Sequence, residues 1–360
     1  MRGMMSIKAR RKKLSQGLAE KELDAIFVSQ PENRRYLSGF DGSSGYLLIT
    51  PQDAILATDF RYIEQAKIQA PGYEIFQIIG DIVDWFPKLV AELNLRNLGF
   101  EAGHITFALH QRLSDILNKA PSPIRLIPVD GLVESLRAIK EPEEIELITK
   151  AVEISDAAVE YIESVIQIGM SEKEVAWEIE KFTRESGSET IPFELIVASG
   201  PNSALPHAKP SSRTIQSGEP VILDIGARSG GYSSDLSRTI CLGTPDGDFR
   251  KIYSTVLDAQ LTAMATITEG MSGGQVDNLA REVIEQAGYS QAFGHSLGHG
   301  VGLASHEFPR LAPKSADKLT SGMVFTIEPG IYLAGWGGVR IEDVVVMENG
   351  KGRAISKAKK

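Results

Sequence analysis

The sequence predicts an α/β domain over residues 1–134, followed by an α+β domain over residues 135–360 that is built as an internal pseudo-twofold repeat. Three observations carry this. Short apolar runs alternate with helix-like stretches in the first third of the chain, the pattern of an α/β layer. A helix–helix–strand pattern then occurs twice, about 101 to 104 residues apart. Finally, each copy ends an apolar strand on a carboxylate, which points to a shared site between the copies.

The first domain opens with a basic helix, roughly 6–21. Its start, MRGMMSIKARRKK, has no apolar run behind the charges, so it reads as solvated helix turns rather than a secretory signal. Strands are expected at Ala25–Val28, Tyr46–Thr50, Ala54–Asp59, Glu74–Ile79 and Leu98–Ala102. FRYIEQAKIQA reads as a helix closed by Pro71-Gly72, and another helix falls between the last two strands. No metal spacing, phosphate loop or nucleophile elbow is visible here, and the FDGSSG turn lacks glycines at the offsets of a phosphate cradle. His104 and His110 have no chemical company and read as surface or packing residues. This half is expected to cover a site or to support dimerisation.

The boundary lies near SLRAIKEPEE, where Pro142 followed by Glu143 and Glu144 favours a helix start. Leu147, Ala151, Ile154, Ala158, Ile162 and Val165 keep three/four spacing and mark a buried face. Gly169-Met170-Ser171, with Val175 and Gly187, recurs as Gly270-Met271-Ser272, with Val276 and Gly288, each 101 residues on. Ser171 and Glu174 form a capping box, and each copy closes on glycine. The second helical stripe is Phe249, Ile252, Val256, Ala259, Ala263 and Ile267. SGEPVILDIG (217–226) is echoed by SGMVFTIEPG (321–330), which sets Asp224 against Glu328 at an offset of 104.

Eleven residues after Asp224 comes Asp235, and fourteen after Glu328 comes Glu342. Both spacings suit a strand, a turn and a returning strand, so each hairpin brings two acids together, and the pseudo-twofold gathers all four. Carboxylates so close repel, and protonation or cations must relieve them. FGHSLGHGVGLASHEFP (293–309) adds His295, His299 and His306, three of the six histidines in the chain. His299 supplies a fifth ligand. Oxygen-rich ligands with one nitrogen suit Mn²⁺, Co²⁺, Fe²⁺ or Zn²⁺, and paired ions in such a cage are the arrangement of dinuclear hydrolases. The bland alternative for single acids is ion pairing along the hairpins, Asp235 with Arg238 and Glu342 with Arg340. His207, in IVASGPNSALPHA, and His306 precede or flank the acid hairpins and could donate to a developing oxyanion or leaving amine.

Composition bounds the rest. The net charge of −9 argues against nucleic acid as a partner, and no 18-residue apolar run predicts a membrane span. The single cysteine, Cys241, forms no intrachain disulfide, which fits the reducing cytoplasm.

DIGARSGGYSSDLSRT, HSLGHGVGLASHE, EPGIY and VRIEDVV resemble, in order and spacing, the pita-bread metallopeptidases, a group that includes methionine aminopeptidase, prolidase and aminopeptidase P. The resemblance covers about residues 140–350. It implies Asp224 on one metal, Asp235 and Glu342 bridging, and His299 and Glu328 on the second, with Mn²⁺ or Co²⁺ the favoured ions. It also implies that His207 and His306 bind substrate and stabilise the tetrahedral intermediate, and that Glu328 shuttles the proton. His295 and Arg340 match positions lining a proline-side subsite, and YLSGFDGSSG and TDFRYIEQA look like segments of bacterial Xaa-Pro peptidases. Threonine is usual in that group where this chain has Asp41. The expected activity is removal of an N-terminal residue preceding proline from short peptides, in the manner of aminopeptidase P. The alternatives are a strict Xaa-Pro dipeptidase (prolidase) and, from another class, a non-catalytic peptide-binding module. A homodimer is also implied by the resemblance.

Overall fold

The computed structural model describes residues 2–119 and 122–360, and its internal contacts divide the chain into two compact units, 1–137 and 138–360. The first unit runs α1 (Arg2–Glu20), β1 (Ala25–Val28), α2 (Pro31–Ser38), β2 (Tyr46–Ile49), β3 (Ala54–Thr58), α3 (Ile63–Gln69), β4 (Glu74–Gln77), α4 (Ile82–Ala91), β5 (Asn97–Glu101), α5 (Phe107–Asn118), β6 (Arg125–Val129) and α6 (Leu132–Ala138), the last ending at the division. Its six strands form one mixed sheet in the order β4-β3-β2-β1-β5-β6. Strands β1, β2 and β3 pair antiparallel, while β5 and β6 continue from β1 in parallel. Phe27, Trp85, Phe86 and Leu113 anchor the core on one face of the sheet.

Helix α2 was not expected from the sequence. Pro31 at its first turn suits a helix start, and buried Glu101 holds the preceding backbone by accepting from the amides of Ser29 and Gln30, both at 2.6 Å. His104 meets the Ser29 hydroxyl at 2.9 Å, and the His110 ring packs on Phe100.

The second unit contains α7 (Pro142–Val165), α8 (Glu172–Glu185), β7 (Ile196–Ser199), β8 (Pro220–Ile225), β9 (Arg228–Ser229), β10 (Tyr232–Ser233), β11 (Leu236–Cys241), α9 (Gly247–Thr266), α10 (Gly273–Gln286), β12 (Gly298–Gly300), β13 (Glu307–Leu311), β14 (Val324–Ile327), β15 (Gly330–Leu333), β16 (Gly337–Arg340), β17 (Asp343–Glu348) and β18 (Lys351–Ala354). Two antiparallel layers result, β11-β8-β7 and β13-β12-β14-β17-β18. Among the described residues no helix is long and apolar enough to cross a membrane.

The repeat is physical. Each half buries its own core, and the same positions fill both: Ala158, Ile162, Ile166, Val175 and Ile179 in one, and Ala259, Ala263, Ile267, Val276 and Ala280 in the other. The loops obey the same rule. The Gly169 amide donates to Ile215 O at 2.9 Å and the Gly270 amide to Leu319 O at 2.8 Å, while Ile215 and Leu319 return a bond to Met170 and Met271. Both second helices start with a reciprocal capping box, Ser171 with Glu174 and Ser272 with Gln275. One detail differs from expectation. On α7 the fully buried face runs through Ile148, Ala151, Val152, Ala158, Val159 and Ile162, and Leu147, Ile154 and Val165 are only partly covered. The true stripe is rotated slightly, because the helix is sandwiched against several strands rather than one flat layer.

Candidate metal centre

The two acid hairpins supply the site. Asp224 lies near the end of β8 and pairs across to Ser237 on β11, so Asp235, just before β11, returns to the same end of the hairpin. Glu328 follows β14 and Glu342 precedes β17, at the matching end of the second hairpin. His299 sits at the centre of β12, between two glycines. A Cβ on Gly298 would meet the Thr326 carbonyl and one on Gly300 the Phe308 carbonyl, so only glycine lets β12 lie between its neighbours. That close approach accounts for the glycines of the HSLGHGVG run.

The structure gathers all five expected ligands. One oxygen of Asp235, one of Glu342 and a ring nitrogen of His299 lie within 4.8 Å of one another. His299 Nε2 is 3.2 Å from Glu328 Oε1 and 3.7 Å from Asp235 Oδ2. Asp224 lies across from Ser237 on β11, and the Ser237 hydroxyl donates to Glu342. His299 Nδ1 donates to the Gly300 carbonyl at 3.1 Å, so Nε2 either carries a proton toward Glu328 or, without that proton, is free to act as a ligand.

Neither hairpin ion pair forms. Arg238 binds Asp343 at 2.9 Å, and Arg340 binds Asp224 at 2.7 Å. Asp235 and Glu342 are therefore left facing other acids. Burial, reinforced by the neighbouring carboxylates, pushes both carboxyls well above their usual range. Asp224 Oδ1 and Glu342 Oε1 are buried with no hydrogen-bond partner. Orphaned buried carboxylate oxygens, aimed into a cluster that repels itself, are what divalent cations satisfy, so the donor set fits the ions expected from sequence.

The surrounding side chains hold this cage. Thr326 Oγ1 accepts from the His299 amide and donates to Glu328 Oε1, both at 3.1 Å. Ser237 Oγ donates to Glu342 Oε2 at 2.9 Å and accepts from Arg340 Nε at 2.8 Å. Burial works against the Glu328 charge, yet the hydrogen bond and charge of His299 hold its carboxyl down to about 2. His306 stacks on His299, ring centres 3.9 Å apart; burial and the charge of His299 push it down to about 4.

His295 and Arg340 meet through Tyr332. Its hydroxyl lies 2.9 Å from His295 Nε2 and accepts from Arg340 Nη1 at 3.0 Å. Arg340 also donates to Asp224, to Ser237 and, at 3.2 Å, to the Pro206 carbonyl, so this buried guanidinium acts as a clamp among ligand, tyrosine and loop. His207, one residue on, is exposed, and the His295 imidazole is lowered, above all by burial. Tyr332, Ser237 and Thr326 were missed by sequence reasoning. Their available signal was, for Thr326, a hydroxyl placed within an otherwise apolar strand and, for Tyr332, the end of the EPGIY motif; Ser237, in the mixed strand LSRTIC, had none.

Comparison with known proteins gives the family. Residues 146–349 match the model of metallopeptidase family M24, and residues 10–139 match the creatinase/prolidase N-terminal domain. The Xaa-Pro dipeptidase of Pyrococcus furiosus is 38% identical over 353 residues, covering 96% of this chain and 97% of that protein. The solved Xaa-Pro dipeptidase from Bacillus anthracis matches with a TM-score of 0.94 at 42% identity, covering 98% of each chain. The solved X-Pro aminopeptidase from Thermotoga maritima matches with a TM-score of 0.88 at 35% identity, covering 97% of this chain and 98% of the other. The two-domain pita-bread arrangement implied by the motifs is therefore the fold of this chain.

Proposed function

The chain belongs to metallopeptidase family M24, and from that premise we propose that it is an Xaa-Pro dipeptidase, hydrolysing the single peptide bond of dipeptides that end in proline. The observation that carries the reading is its similarity, along nearly the whole length, to proteins described as Xaa-Pro dipeptidases from two different organisms. They favour the dipeptidase over the aminopeptidase P-like activity that the sequence put first. The similarity to the Thermotoga maritima X-Pro aminopeptidase keeps trimming of longer peptides as the second reading.

Asp224, Asp235, His299, Glu328 and Glu342 would hold two divalent ions, Mn²⁺ or Co²⁺ by preference, since oxygen dominates and no thiolate is present. Bound there, such ions polarise a carbonyl and acidify a water. The bond before proline is a tertiary amide without an N–H, so a site that grips that N–H gains nothing, whereas one that packs the ring and activates the carbonyl gains selectivity. His295, fixed by Tyr332, lines the proline side. His306, oriented by its stack on His299, donates to the oxygen of the attacked carbonyl. Glu328 takes the proton of the attacking water on the oxygen not engaged by Thr326 and delivers it to the prolyl nitrogen, releasing the free amino acid and proline. His207 reaches in from its loop to bind substrate.

The test is hydrolysis of Ala-Pro, Ala-Pro-Ala and Ala-Ala-Ala by EDTA-stripped protein, with and without Mn²⁺ or Co²⁺. Metal-dependent cleavage of Ala-Pro alone is expected. Equal cleavage of Ala-Pro-Ala would replace the dipeptidase by the aminopeptidase, and equal cleavage of Ala-Ala-Ala would remove the proline preference.

A further inference from the structure

A heavily hydrogen-bonded carboxylate outside the metal cage is Glu172, the first residue of α8, whose side chain is inaccessible to solvent. Its Oε1 accepts from the Ser199 amide at 2.7 Å and the Ser199 hydroxyl at 2.8 Å. Its Oε2 accepts from the Ser211 amide at 3.0 Å and the Ser211 hydroxyl at 2.6 Å. Asn202 Nδ2 lies 3.1 Å from both oxygens. One carboxylate thus joins the two ends of the 199–211 loop, and that loop carries His207. Burial alone would raise the Glu172 carboxyl, but the Ser211 and Ser199 bonds overcome this and lower it.

The repeat separates what the fold requires from what this side chain adds. In the first half the Glu172 amide donates to Arg213 O at 3.0 Å and the Lys173 amide to Ser211 O at 3.1 Å. In the second half the Gly273 amide donates to Asp317 O at 2.7 Å and the Gly274 amide to Ser315 O at 3.0 Å. The backbone strap is the same, yet the second copy has no side chain at this point. A Cβ on Gly273 would run into the Arg310 carbonyl, because β13 packs directly on the helix end there. In the first copy the loop stands off, and the carboxylate fills the space with acceptors. The middle of the loop is tied separately, through Ser203 Oγ to the Gly338 amide at 2.8 Å and through Pro206 O to Arg340.

We propose that Glu172 is a positioning residue for substrate recognition: by fixing both ends of the 199–211 loop it sets where His207 stands relative to His295 and His306. The inference rests on the reading of His207 as a substrate-binding residue. It predicts that Glu172 acts on catalysis through His207 and not through the metals.

The experiment uses the metal-loaded protein and Ala-Pro, with the variants Glu172→Gln, His207→Ala and the pair combined. Gln keeps the shape but replaces one acceptor oxygen by a donor that faces other donors. Glu172→Gln should lower kcat/KM about 10-fold, chiefly through KM, with bound metal per chain unchanged. Amide exchange should quicken across residues 199–211 and not elsewhere in the unit. In the His207→Ala background the same change should cost less than about twofold, because the group it positions is gone. Equal losses in both backgrounds, or a fall in metal content, would overturn the inference while leaving His207 in place. A His207→Ala variant with undiminished kcat/KM would overturn the reading of His207 itself and the inference with it.

Discussion

Asp235→Asn should abolish metal loading and lower kcat/KM by roughly 10³-fold or more, with the fold retained. Asp235 belongs to the tight group in which its oxygen, one of Glu342 and a ring nitrogen of His299 lie within 4.8 Å of one another. An amide has one neutral acceptor oxygen where the carboxylate has two charged ones, so it cannot serve two ions. The several kcal/mol that metal ions contribute to a hydrolytic transition state are then lost, and each 1.36 kcal/mol is about tenfold in rate. The same change removes one charge from a set of buried acids that repel each other in the metal-free protein. Metal-free Asp235→Asn should therefore melt no lower than metal-free wild type. Wild type should gain Tm on addition of Mn²⁺ by mass action and the variant should not, about 2.7 kcal/mol of stabilisation being available at 100-fold excess over Kd. Metal stoichiometry, thermal melts and Ala-Pro turnover measure the three effects. A variant that kept metal and full activity would remove the dinuclear assignment.

The fold of the second unit was legible because the repeat writes its signals twice. The capping serines, the closing glycines and the apolar core positions all recur at offsets of 101 and then 104. Their coincidence is informative where each alone is weak. The second capping box was equally readable, since Gln275 serves at the position of Glu174, but attention to acids alone passes over it. In the first unit the strands were visible as apolar runs, whereas α2 was not. Its residues, PENRRYLS, are mostly polar, and it is held by Glu101, which lies some seventy residues away in sequence.

The clustering of the four acids was legible for a related reason: a carboxylate ending an apolar strand is costly without a purpose. What holds the cluster in place was not. Arg340 looked free to pair with Glu342, two residues on and so on the same face of an extended strand, yet β16 ends at Arg340 and the arginine instead crosses to Asp224. Tyr332 and Thr326 act through tertiary contacts that no local pattern encodes. Glu172 looked like an ordinary acid in a helix's first turn, where the dipole favours it; its six hydrogen bonds, from five donor atoms, come from a loop about thirty residues later. Sequence patterns report what an element buries, and they are silent on which distant loop a polar group serves.

Lys140→Met should be strongly destabilising although it lies outside the metal cage. Lys140 Nζ lies 2.8 Å from Glu307 Oε1, and the two side chains are only 1% and 4% exposed. Glu307 directly follows His306, and Gly302 has no Cβ because the Glu307 carboxylate occupies that space. Removing the lysine leaves a carboxylate buried without its cation, and breaking one partner of a buried pair costs about 3–5 kcal/mol. In a unit of this size that corresponds to a loss of roughly 6–20 °C in Tm. Replacing both partners removes the charge along with its counter-charge, so Lys140→Met combined with Glu307→Gln should recover at least half of the lost Tm. The combined variant should also recover turnover if the pair matters only as a fastening for the His306 loop. Thermal melts of the three variants with metal bound decide it. A Lys140→Met protein within about 2 °C of wild type would show that the pair contributes nothing net. A double variant no better than the single would place the cost in lost packing by the lysine stem instead of in the stranded charge.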